Sequence, residues 1–140
     1  MADRSEPVVV PTRFKLSALW VALMLTYLLG DVLRIFSGDF VVGEAAGMQA
    51  SQWLYLALAA FLVSPAVMVL FSLTLKYRAS RWANLILAVL LFGFNLVGLP
   101  TYPSAYDQFL IVVGLVFNLL TVWYAWRWGK PPAPAQAESG

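Results

Sequence analysis

Asp31 and Arg34 stand three residues apart inside an apolar stretch that runs from about Phe14 to Phe36. On a helix that spacing puts both side chains on one face, so carboxylate and guanidinium can pair. Tyr27, four residues before Asp31, shares the stripe. A carboxylate inside an apolar segment either exchanges a proton or cation with a partner or is neutralised by a neighbouring base. Asn95 and Asn118 place amides inside two later apolar stretches, and Tyr102 and Asp107 stand at the border between them. If the first and fourth stretches adjoin, Tyr27, Asp31, Arg34, Asn95, Tyr102 and Asp107 line one polar pocket, with Asn118 extending its lining. The competing expectation is a local Asp31–Arg34 ion pair with the arginine reaching for the interface.

Other chemistry is scarce. The chain has no Cys and no His, which removes disulfides, thiolate sites and the side chain that titrates nearest neutral pH. It carries no phosphate-binding glycine loop, zinc-binding histidine pair or nucleophile elbow. Asp31 and Asp107 are the one carboxylate pair available for acid–base work inside the membrane. Without a recognisable metal set, catalysis is the least supported class, and no cofactor is implied.

The elements that position these groups follow from composition. The 140 residues are 61% hydrophobic and only 11% charged, with a mean hydropathy of +0.78. A soluble domain carries about 25% charged residues, so this chain reads as an all-α integral membrane protein. Four apolar stretches, about 14–36, 52–75, 82–99 and 106–128, are each long enough for a helix to cross a core of about 30 Å. Residues 1–13 read as a short polar lead and 129–140, with Pro131, Pro132 and Pro134, as a disordered tail. The first stretch is too long for a signal-peptide core and carries Asp31 and Arg34.

Eight of the nine basic residues fall on one side: Arg4, Arg13, Lys15, Lys76, Arg78, Arg81, Arg127 and Lys130, with Arg34 the exception. The positive-inside rule predicts that both termini and the 76–81 loop are cytoplasmic. Lys76, Arg78, Arg81 and Trp82 form a compact basic-aromatic segment suited to anionic lipid headgroups rather than to nucleic acid. Asn84, Ala88, Leu91, Asn95 and Gly98 in the third stretch repeat at helical spacing, as do Asp107, Ile111, Gly114, Asn118, Thr121 and Ala125 in the fourth. Such stripes of small and amide side chains suit close helix packing with hydrogen bonds between helices. Ser64-Pro65 predicts a kink in the second helix.

The segment Lys76-Tyr77-Arg78-Ala79-Ser80-Arg81-Trp82-Ala83-Asn84, the turn Leu99-Pro100-Thr101-Tyr102 and the ending Trp123-Tyr124-Ala125-Trp126-Arg127-Trp128 resemble a family of small bacterial and archaeal membrane proteins. The Leu19-Trp20 and Gly30-Asp31-Val32-Leu33 regions are similar too, although Leu29-Gly30 stands where that family commonly has an aromatic-alanine pair. The resemblance, from about Lys15 to Trp128, implies a four-helix protein of the prokaryotic inner membrane and carries over no catalytic residues. Two functions compete. One is ion or small-solute transport through the outward-facing pocket, which in so short a chain calls for a homo-oligomer. The other is a non-catalytic module that binds a lipid, an apolar ligand or a partner span.

Overall fold

The computed structural model describes residues 9–45, 48–49 and 51–129. Most of the polar lead and nearly all of the proline-rich tail lie outside these residues, as do Arg4 and Lys130. Four helices follow one another: α1 (Thr12–Ser37), α2 (Gln52–Thr74), α3 (Tyr77–Gly98) and α4 (Ala105–Arg127). A single 3-10 turn, Leu99–Thr101, follows α3, and an antiparallel ladder of two residues a side, β1 (Glu44–Ala45) with β2 (Met48–Gln49), lies between α1 and α2. The four helices, the third counted through its 3-10 turn, are long and apolar enough to cross a membrane, the build of a multi-pass membrane protein.

Local chemistry accounts for the boundaries. The Pro11 carbonyl accepts from the Phe14 and Lys15 amides and opens α1. Gly38 closes α1 in the left-handed conformation (φ 82°), which glycine adopts without steric cost. Ser51 caps α2 by accepting the Leu54 amide at 3.2 Å. Helix α2 runs unbroken through Pro65. Proline removes the amide that would bond Phe61, and the Ser64 hydroxyl donates to that carbonyl instead at 2.7 Å.

The expected basic loop contracts to Leu75-Lys76, because α3 already begins at Tyr77. Basic residues are disfavoured at the positive end of a helix dipole. Arg81 is compensated there: its Nε donates to the Ala125 carbonyl at 3.1 Å and its Nη2 to the Trp126 carbonyl at 3.0 Å, at the negative end of α4.

α1 packs along both α2 and α4, and α4 along α3, while α2 and α3 meet less extensively. Trp20, Leu23, Met68, Ala88 and Leu91 form the central core, and Leu16, Leu85 and Ala125 a second cluster toward the helix ends that carry the cations. Outward, Leu56, Leu70, Leu90 and Phe109 are exposed, the apolar coat that a spanning bundle presents to lipid.

One buried hub ties three helices together. The Trp20 indole donates to Asn84 Oδ1 at 2.6 Å, the Ser72 hydroxyl donates to the same oxygen at 3.1 Å, and Asn84 Nδ2 donates to the Ser80 carbonyl at 2.7 Å. Nearby, Arg13 Nη1 donates to the Ser72 and Leu75 carbonyls at 3.1 and 2.7 Å, and the Tyr77 hydroxyl donates to the Trp128 carbonyl. These contacts gather the start of α1, the α2–α3 link and the end of α4 at one end of the bundle. Arg13, Lys15, Lys76, Arg78, Arg81 and Arg127 share that end, whereas Arg34 is the one cation at the other among the described residues.

Candidate functional site

The polar residues at the end away from the cations form separate groups rather than one continuous lining. Arg34, in the last turn of α1, pairs with Asp107, in the first turn of α4, at 3.3 Å. Each charge sits where its helix dipole favours it. The Arg34 guanidinium also lies over the Tyr102 ring, 4.9 Å from its centroid. Asp107 is buried while Arg34 remains one-third exposed, so the pair bridges interior and surface.

Asp31 is left out of this pairing. The local pair that the three-residue spacing allows does not form, because Arg34 turns across the helix interface to Asp107 instead. The preceding residue, Gly30, faces Leu110 of α4, 3.5 Å from where a Cβ would stand. One residue is about 100° of helix rotation, which carries Asp31 off the packed face. Its side chain is exposed, and among the described residues it enters no hydrogen bond or ion pair.

Deeper in the bundle, Asn95 Nδ2 donates to the Tyr27 hydroxyl at 2.6 Å and to the Leu91 carbonyl at 2.9 Å. The Tyr27 ring stacks on Phe61 at 6.0 Å, and Phe61 meets Phe94 at 4.7 Å. Asn118 is fully buried on the fourth helix beside the Tyr27 hydroxyl, and neither polar atom of its side chain meets good hydrogen-bond geometry with a described group. An apolar layer of Leu23, Met68, Ala88 and Leu91 separates the Tyr27–Asn95 bond from the Trp20–Asn84 hub. No family model, curated protein or solved structure matches this chain.

A further polar cluster lies where the end of the first helix meets the start of the fourth and was not singled out by residue spacing. The Asp39 carboxylate accepts from the Tyr106 hydroxyl and, at 3.0 Å, from the Ser104 hydroxyl, and Ser37 Oγ lies 2.9 Å away. These hydrogen bonds, the one from Tyr106 foremost, hold the Asp39 carboxyl below the usual carboxylate range. The signal was present as Ser37-Gly38-Asp39, a helix stop with two polar side chains, but its partners stand more than sixty positions away. Beside this end, Leu99, Pro100, Gln108, Phe109 and Val112 border a shallow, mainly apolar hollow that none of the charged residues enters. At the opposite end Lys76, Arg78 and Trp82 are exposed, whereas Arg81 is partly withdrawn onto the end of α4. Among the described residues no cluster of three or more acidic, His or Cys side chains is arranged to hold a metal.

Proposed function

We propose that this chain is a multi-pass protein of a prokaryotic cytoplasmic membrane, with both termini in the cytoplasm, that binds an amphiphilic cation through Asp31. The prokaryotic setting rests on the family resemblance, and the orientation on the six described cations at one end. One observation carries the function: Arg34 is engaged by Asp107, so the Asp31 carboxyl is left with no ion-pair or hydrogen-bond partner among the described residues, on an exposed helix face. Asp31 lies about 10 Å from the middle of α1 by helical rise, within a hydrocarbon half-thickness of about 15 Å. A carboxylate at that depth is costly without a counter-charge. Exposed Leu28 and Ile35 lie on the same stripe as Asp31, a surface for the apolar body of such a ligand. At the basic end, Lys76, Arg78 and Trp82 contact lipid headgroups.

Transport is the second reading, favoured by the partly buried Tyr27 and the buried Asn95 and Asn118 beneath the same end. The apolar layer of Leu23, Met68, Ala88 and Leu91 interrupts any route through one bundle, so this reading places the route between copies of a homo-oligomer.

Tetraphenylphosphonium is a suitable probe. Equilibrium dialysis against proteoliposomes of the full chain should show saturable binding, weakened about tenfold or more by Asp31→Asn, about 1.4 kcal/mol. Equal binding by wild type and Asp31→Asn would overturn the proposal. Asp31-dependent uptake of the cation into the vesicle lumen would establish the transport reading instead.

A further inference from the structure

The Arg34 guanidinium is incompletely held where it lies. It donates to Asp107 through one bond, Nη2 to Oδ2 at 3.3 Å, rather than through the two-pronged fork that arginine and carboxylate can form. Its Nε is buried and has no acceptor among the described groups. The Tyr102 ring, with its centroid 4.9 Å from the guanidinium carbon, supplies the other contact.

A second carboxyl stands within its reach. Asp31, three residues earlier on the same helix, is exposed and has no partner among the described residues. Positions three apart are neighbours on a helix surface, so rotation about the Arg34 side-chain bonds can bring the guanidinium to Asp31 with the backbone in place. The helix ends stay joined meanwhile, because Asp39 accepts from Ser104 and Tyr106 independently of Arg34. Asp31 is the weaker seat, since pairing there forfeits the Tyr102 ring. Arg34 is nonetheless a cation tethered beside Asp31 at high effective concentration, and it competes with any cation arriving from outside.

We propose that Asp107 is a positioning residue that keeps the Asp31 site open by drawing Arg34 across the interface between α1 and α4. Loss of that pair lets Arg34 fold back onto Asp31 and close the site. The inference rests on the reading of Asp31 as a cation site, and it makes that site self-regulating. A movement that parts the end of α1 from the start of α4 closes it, and a bound cation favours the joined arrangement to the same degree. The observed affinity is then the intrinsic one scaled by the fraction of molecules with Arg34 on Asp107.

Two measurements on the full chain in lipid bilayers test this. With no cation added, 15N–13C recoupling in solid-state NMR reads the proximity of the Arg34 guanidinium to each carboxyl carbon. Wild type should show the Asp107 contact, and Asp107→Asn should show a contact to Asp31 instead. Tetraphenylphosphonium binding should fall about tenfold in Asp107→Asn and return to within about twofold of wild type when Arg34→Gln is added. Undiminished binding in Asp107→Asn would overturn the proposal, as would a loss that Arg34→Gln does not restore. Restoration without an Arg34–Asp31 contact would overturn it too, because the charges would then act only from a distance. Should Asp107→Asn not fold, Tyr102→Leu removes the ring beside the guanidinium and leaves both carboxyls intact. It should bring out the same Arg34–Asp31 contact, whose absence would count equally against the proposal. Equal binding by wild type and Asp31→Asn would remove the cation site alone, while the NMR contact still decides whether Asp107 holds Arg34 off Asp31.

Discussion

At the scale of single residues, charge placement at the end opposite the cations decides what each acid does. Asp107 is buried and holds Arg34, whereas Asp31 is exposed and holds nothing. Asp107→Asn leaves a half-buried guanidinium without its anion and should cost about 1–3 kcal/mol. Asp31→Asn removes an unpaired carboxyl from an apolar span and should be neutral or stabilising. Reversible unfolding in bicelles measures both, and a larger loss for Asp31→Asn would contradict the assignment. Asp39 supplies a pH dependence outside the spans. Because hydrogen bonds depress its folded pKa, its contribution is fully present above the ordinary carboxylate pKa and is lost as pH falls through the depressed value. The 13C titration of the Asp39 carboxyl should therefore have its midpoint below the usual range, and Tyr106→Phe should move that midpoint upward.

At the scale of elements, buried polar groups set how the helices meet. Asn84 accepts from Trp20 on the first helix and Ser72 on the second. Asn84→Leu orphans both donors and should lower stability by about 1–3 kcal/mol for each group left unpaired. Ser64→Ala should cost less, about 0.6 kcal/mol, in line with typical hydrogen bonds inside membranes. Thermal unfolding of the two variants side by side checks the order, and a Ser64→Ala loss exceeding that of Asn84→Leu would refute it. The stripes containing Asn84 and Asn118 were legible from spacing because a helix repeats every 3.6 residues. Their different fates were not, since one amide met an indole and a hydroxyl from other helices and the other met no such pair of partners. Similarly, Ser64-Pro65 reads as a kink, while the repair of the Phe61 carbonyl by Ser64 depends on a rotamer that only the folded helix specifies.

At the scale of the whole molecule, the bundle is polarised: the described cations other than Arg34 gather where the start of the first helix meets the end of the fourth. The absence of cysteine makes the predicted sidedness directly testable. Gln49→Cys, exposed in β2, should react with a membrane-impermeant maleimide added to intact cells stripped of any outer membrane. Ala79→Cys, exposed near the start of α3, should react only after permeabilisation. The reverse pattern would invert the topology. Hydropathy and helical period alone determined that there are four long apolar helices, although the third begins at Tyr77 rather than near Trp82, because burial in lipid and backbone hydrogen bonding act on each segment locally. Only the tertiary structure decided that Arg34 belongs to Asp107 rather than Asp31, that Arg81 closes the end of α4, and that Asn84 is satisfied while Asn118 is not. Those outcomes depend on which helix faces lie together, and side chains dozens of residues apart compete for the same partner only after the helices have packed.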